Sequence, residues 1–180
     1  LDDPSVRGIV ANHRDVTERK RLERQLEHQA NHDALTGLAN RRQLSQELAD
    51  AEDDEFDAMI FVDLDRFKDV NDRLGHSVGD RLLATVAARI GANIRPGDLA
   101  ARLGGDEFAV MVDSGDARQA HAIAVRLQEA IRQPIKLGEA IVAVDSAVGV
   151  AVFPVDGTGF HDLLRTADSR MYEDKRQAIA

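Results

Sequence analysis

Asp63 and Asp65 stand two residues apart at the end of the apolar run Ala58 to Val62. A strand turns alternate side chains to one face, so both carboxylates are expected to leave the same side where the run meets solvent. Like charges that close raise each other's proton affinity unless a cation lies between them; Mg2+ or Mn2+ would keep both ionised as hard oxygen ligands. An isolated Asp-x-Asp is more often an ordinary polar strand end, so the pair alone is a weak signal. A second acidic pair, Asp106-Glu107, follows Gly104-Gly105 and precedes Phe108. Two glycines between apolar runs predict a tight hairpin with positive φ at its tip, bare enough for a nucleotide to approach the backbone. With that hairpin beside the 58–62 strand, Asp63, Asp65, Asp106 and Glu107 converge, enough for a pair of cations and a phosphate chain. The intervening loop, RFKDVNDRLGHSVGD, adds Lys68 as a phosphate counter-charge, Asn71 as amide donor and acceptor, and Asp80 as a carboxylate able to take two donors from a base edge. The plainer reading makes Asn71 part of a turn and Asp80 the N-cap of the next helix.

The elements that must position these groups are legible as apolar periodicities. The continuous run at 58–62 fits a strand buried on both faces. Leu82, Leu83, Val86 and Ile90 share one stripe of a helix over 80–94, and Ala120, Ile123, Ala124, Leu127 and Ile131 one of a helix over 116–132. Residues 99–112 predict two strands around the glycines; 140–153 predict further strand, broken near Gly149. A last helix runs through Leu163, Leu164, Ala167 and Met171. Helices alternating with strands, one pair a hairpin, give a mixed sheet of the α/β or α+β class. Ahead of this domain, residues 1–17 predict a turn and one strand, which cannot stand alone and is expected to be the remnant of another sheet. Thr17 is a plausible N-cap for a linker helix over 18–31, where Leu22, Leu26 and Ala30 form one greasy edge, either solvated or paired with a second copy. The Thr36-Gly37 break marks the bend into the main domain, which starts at His32.

Composition narrows the class. The 180 residues, 43% hydrophobic and 31% charged, suit one domain with a short appendage. A formal charge of −9 argues against a polymeric nucleic acid partner, and the absence of Cys leaves any metal to oxygen or His ligands. No apolar run approaches the roughly 20 residues that span a bilayer, so this piece is expected to be cytoplasmic and to make no membrane contact, with room for an anchor upstream in a longer protein.

LGGDEF, preceded by DLDRFKDVNDRLGHSVGD and NHDALTGLANRR and followed by AVGVAVFPVDG and ADSRMYEDK, closely resembles the GGDEF family of diguanylate cyclases, which condense two GTP into cyclic di-GMP. The resemblance covers His32 to about Lys175. Before it, VRGIVANHRDVTERKRLERQLEHQA is similar to the last strand of a PAS sensor and its coupling helix. The implied domains are a PAS-like remnant at 1–17, a signalling linker helix at 18–31 and a GGDEF domain at 32–180. The implied fold is nucleotidyl-cyclase-like, with a five-stranded mixed sheet surrounded by helices. Carried over by position, Asp63 and Asp106 would ligate Mg2+ or Mn2+ by carboxylate and Leu64 by its carbonyl. Glu107 would complete the metal site or help activate a 3′-hydroxyl. Asn71 and Asp80 match guanine-reading positions, Lys68 and Lys175 phosphate contacts, and Gly104 and Gly105 the turn over which the nucleotide lies. Each domain would hold one GTP, so catalysis would need a face-to-face homodimer.

Arg95-Pro96-Gly97-Asp98 predicts a turn on its own residues. Its position before the hairpin strand matches the family's inhibitory site for bound cyclic di-GMP, with Arg126 as a further partner. Two departures stand out: Lys175 is followed by Arg176-Gln177-Ala178 without the family's second phosphate-binding Arg, and Asp145-Ser146-Ala147 replaces a frequent Thr-Val-Ser. An active, product-inhibited cyclase is the first expectation. The alternative is a non-catalytic domain that binds GTP or cyclic di-GMP within a composite GGDEF/EAL protein.

Overall fold

The structure is a computed structural model and describes residues 17–50, 58–113 and 116–179. The chain divides into two compact units, 1–30 and 31–180. The described part of the first is helix α1 (Thr17–Asn31), which agrees with the predicted linker helix; Leu22 and Leu26 are exposed on it. The strand expected within 1–17 and the capping side chain of Thr17 lie outside the described residues.

In the second unit the elements follow as β1 (Ala39–Asn40), α2 (Arg41–Asp50), β2 (Ala58–Leu64), α3 (Phe67–Leu74), α4 (His76–Ala92), β3 (Leu99–Gly104), β4 (Glu107–Val112), α5 (Ala117–Arg132), β5 (Ile135–Leu137), β6 (Ala140–Val142), β7 (Ser146–Val152) and α6 (Phe160–Ile179). Five strands form one sheet in the order β1-β3-β4-β2-β7, and β5-β6 is a separate two-stranded ribbon. β1 runs parallel to β3 and the other pairings are antiparallel, which makes the sheet mixed. β2 lies at its centre of burial because its apolar run has a helical layer on each face. Ile60, Val62 and Leu64 join Phe108 and Val110 against Leu82, Val86, Ile90, Ile123 and Leu127. Met59 and Phe61 join Ala109 and Ala151 against Leu44, Leu163, Ala167 and Met171.

Three expectations change. The stretch 66–79 is largely helical rather than a loop, since Val70 of α3 finds apolar partners on the core. α4 starts at His76, so Asp80 sits in its second turn and is not an N-cap. The break in the 140–153 segment falls at 143–145, between β6 and β7, and β7 runs straight through Gly149.

α6 is pinned to the end of β7 by Asp156, whose carboxylate takes Arg170 Nη2 at 2.8 Å and Nη1 at 2.5 Å, and also Val152 N at 2.8 Å. The Arg170 hydrogen bonds hold the Asp156 carboxyl below its ordinary range, against the opposing effect of burial. A depressed folded-state value means this contribution is present above about pH 4, the unfolded carboxylate range, and fades as pH falls through the folded value. Arg170→Ala is expected to cost about 2 kcal/mol at neutral pH by leaving a mostly buried carboxylate short of donors. Denaturant melts should show that loss at pH 7 and much less of it at pH 3.

Candidate active site

Antiparallel pairing of β2 with β4 sets Asp63 directly opposite Glu107, so the two side chains share one sheet face about 5 Å apart at Cβ. Asp106 occupies the turn just before Glu107, and its carbonyl accepts Leu64 N at 3.4 Å. The turn closes between Gly104 at φ 145° and Gly105 at φ 54°, backbone that favours residues without a Cβ. Burial raises the proton affinity of Glu107; Arg41, whose Nη2 lies 3.9 Å from Glu107 Oε2, opposes this, while Asp63, Asp106 and Asp168 add to it. Asp63, Asp106 and Glu107 thus meet as expected.

Asp65 does not join them. The strand ends at Leu64, Arg66 adopts a left-handed φ of 57°, and Asp65 N donates to Asp145 O at 2.9 Å. Asp65 instead lines a cavity of about 830 Å3 between α3 and the 140–145 segment, with Arg66, Asp69, Val70 and Arg73. The fourth acid near Glu107 is Asp168 of α6, and Arg41 of α2 is the nearby cation. Neither was singled out from sequence: each sits in an unremarkable helical register, and only the packing of α2 and α6 on one sheet face brings them to the turn.

Asn71 and Asp80 lie on the adjoining helices α3 and α4. α3 packs close to α4 at Gly79, where a Cβ would stand 2.9 Å from Asn71 Cγ and 3.3 Å from Phe67 Cζ. Lys68 is exposed on the first turn of α3. Lys175 belongs to α6, with its side chain outside the described residues. Arg95 and Asp98 close one turn, where Asp98 Oδ2 accepts Arg95 N at 2.8 Å; Arg126 Nη2 donates to Asn93 O, two residues before Arg95, at 2.8 Å. Asp98 Oδ1 also takes Asp113 N at 3.4 Å, so the carboxylate orders the turn, while the Arg95 side chain is exposed. The change to Asp145-Ser146 has a structural correlate, since Asp145 Oδ1 accepts Ser146 N at 2.9 Å and Arg132 Nη2 at 3.0 Å.

Among the described residues, no group of three His, Asp or Glu is arranged to hold a metal alone. Closely placed carboxylates beside a bare turn nevertheless suit Mg2+, which keeps its waters and binds through one or two carboxylates plus substrate phosphates. The acidic donors beside Glu107, each raising its proton affinity, form an environment that a cation relieves.

A mixed sheet layered by helices thus sets the acidic end of β2 opposite the acidic start of β4, beside a glycine turn. Residues 30–179 match the model of the diguanylate cyclase GGDEF domain, and the chain belongs to that family. Its relatives include the bifunctional diguanylate cyclase/cyclic di-GMP phosphodiesterase MucR of Pseudomonas aeruginosa, 42% identical over 90% of this chain and 24% of the relative. Diguanylate cyclase TpbB of Pseudomonas aeruginosa is 44% identical over 85% of this chain and 37% of its own. The solved GGDEF domain of TpbB has a TM-score of 0.74 at 41% identity, covering 81% of this chain and 89% of that one. The coiled coil and GGDEF domain of DgcB from Caulobacter crescentus, solved with c-di-GMP, has a TM-score of 0.76 at 29% identity, covering 90% and 91%. The chain spans about a quarter to just over a third of the length of the curated relatives MucR and TpbB. No helix among the described residues is long and apolar enough to cross a membrane.

Proposed function

We propose that this chain is the catalytic domain of a diguanylate cyclase, condensing two GTP into cyclic di-GMP and two pyrophosphates. What supports this most is the opposition of Asp63 and Glu107 across β2 and β4, with Asp106 at the adjoining glycine turn. In each half reaction a ribose 3′-oxygen bonds to the α-phosphorus of the other GTP, the bond from that phosphorus to the bridging oxygen breaks, and pyrophosphate leaves. Asp63 and Asp106, with the Leu64 carbonyl, would hold Mg2+ or Mn2+. A bound cation of this kind lowers the proton affinity of the attacking hydroxyl and neutralises charge on the leaving phosphates. Glu107, whose proton affinity is raised, accepts or relays the hydroxyl proton. Lys68 and Lys175 meet the triphosphate, and Asn71 and Asp80 read the guanine edge.

Each domain holds one GTP, so two domains must face each other. Cyclic di-GMP formation measured over a series of protein concentrations should rise faster than linearly at the low end; a strictly linear rise would remove the dimer from the account.

Gly79→Ala tests the guanine assignment. The new Cβ pushes on the tip of Asn71, a group that can swing away, so the fold should hold while one base contact weakens. The KM for GTP is expected to rise about tenfold, the equivalent of roughly one hydrogen bond. Steady-state kinetics and a thermal melt check it.

The Arg95 turn is read as a product site, with the exposed Arg95 side chain forked onto cyclic di-GMP. The turn itself uses the Arg95 backbone N–H, so Arg95→Ala keeps it. The cyclic di-GMP concentration for half inhibition should rise about tenfold or more. An unchanged inhibition curve returns Arg95 to a surface turn.

A further inference from the structure

We infer that Arg102 is a positioning residue for the acidic turn, tying the placement of Asp106 and Glu107 to the 33–38 segment that opens the domain. The inference rests on the cyclase reading for its kinetic consequence and on hydrogen bonding alone for its mechanical one. Arg102 lies on β3, paired with Asn40 of β1 on one side and Phe108 of β4 on the other. Its guanidinium faces two ways. Nε and Nη2 donate to Gly105 O at 3.0 and 2.7 Å, while Nη1 reaches both Asp33 oxygens at 3.1 and 3.2 Å.

The far anchor is itself fastened. Asp33 Oδ1 accepts Thr36 N at 2.9 Å and Thr36 Oγ1 at 2.7 Å, Asp33 N donates to Leu38 O at 2.8 Å, and Asp33 O accepts Gly37 N at 2.8 Å. The side chains of Arg102 and Asp33 are 13% and 25% exposed, so solvent competes little for the bonds between them, while the bonds to Gly105 O lie at the surface.

The side chain adds to a strand ladder that is irregular here. The register of β3 on β4 shifts between Arg102 and Gly104, leaving Gly104 paired with Glu107 beyond the irregularity. On the other flank, the bond from Leu64 N to Asp106 O is long, at 3.4 Å. The two donors on Gly105 O are the shorter fastening of the peptide that leads directly into Asp106. A planar fork is required here, because a single ammonium cannot span Gly105 O and both Asp33 oxygens together.

The test uses the full chain with Arg102→Lys, which keeps charge and stem but loses the fork, and Asp33→Asn, which keeps an acceptor for Thr36 but only one oxygen. For each, kcat and KM for GTP, the thermal midpoint and amide hydrogen exchange at 104–107 are compared with the starting protein. At a protein concentration where specific activity has levelled off, both variants are expected to lose about 100-fold in kcat, the scale of a misplaced catalytic group, with KM within about threefold. Exchange at 104–107 should accelerate about tenfold or more while the β2 amides stay protected. A kcat within about threefold of the starting protein, or unchanged exchange in the turn, overturns the inference. Failure of both variants to fold also overturns it, assigning Arg102 to the fold alone. If the starting protein makes no cyclic di-GMP, the proposed function falls by itself, and exchange at the turn still decides whether Arg102 holds it.

Discussion

Asp106→Ala is expected to lower cyclic di-GMP formation by about 1,000-fold, the upper range for removing one group that stabilises charge in the transition state. On the proposed function the Asp106 carboxylate, close enough to Glu107 to raise its proton affinity, holds the cation that meets the nucleotide phosphates. The fold should be untouched. The backbone carbonyl of Asp106 accepts Leu64 N, and an Ala keeps that bond. Removing a negative charge that raises the proton affinity of Glu107 also relieves repulsion, so the thermal midpoint should hold or rise slightly. Loss of turnover with a lowered midpoint would point to a structural role instead. Product chromatography beside a thermal melt separates the two.

Gly149→Ala should produce the largest loss of stability. A Cβ at Gly149 would stand 2.8 Å from Ala167 C and 2.9 Å from Met171 N, with the Ala167 carbonyl oxygen closer still. Every obstacle is backbone of α6, so no side chain can turn aside and the whole helix must lift from β7. Overpacking of this kind costs about 3 kcal/mol or more, because Leu163, Ala167 and Met171 would all lose contact with the sheet. That corresponds to a fall of roughly 6 to 12 °C in the midpoint for a domain of this size. The damage should reach the site as well, since α6 carries Asp168 beside Glu107. A near-normal midpoint would contradict the seating of α6 on β7.

How much of this was legible in the sequence varied with the distance between cause and effect. The run 58–62 declared a buried strand because both of its faces are covered, and Gly104-Gly105 declared the hairpin because few residues tolerate such backbone. Asp63, Asp106 and Glu107 could therefore be paired from local patterns once the two strands were neighbours. Asp65 could not be placed, because a left-handed Arg66 turns the chain at the strand end and ends the alternation on which the expectation relied. Gly149 read as a break because a glycine in a strand has two meanings, a bend or a close approach, and only the position of α6 selects the second. Arg102 and Asp33 are 69 positions apart, so their link is invisible to any periodicity. Arg41 and Asp168 escaped for the same reason.

The most direct test of the central claim is the identity of the product. The chain is incubated with GTP and Mg2+, with a parallel sample in excess chelator, and the nucleotides are separated and weighed by mass spectrometry. Cyclic di-GMP with two pyrophosphates per product molecule is the expected result, and none when the cation is removed. GTP that is bound but unchanged at protein concentrations high enough to form dimers would contradict it, and would make this chain a nucleotide-binding module rather than a cyclase.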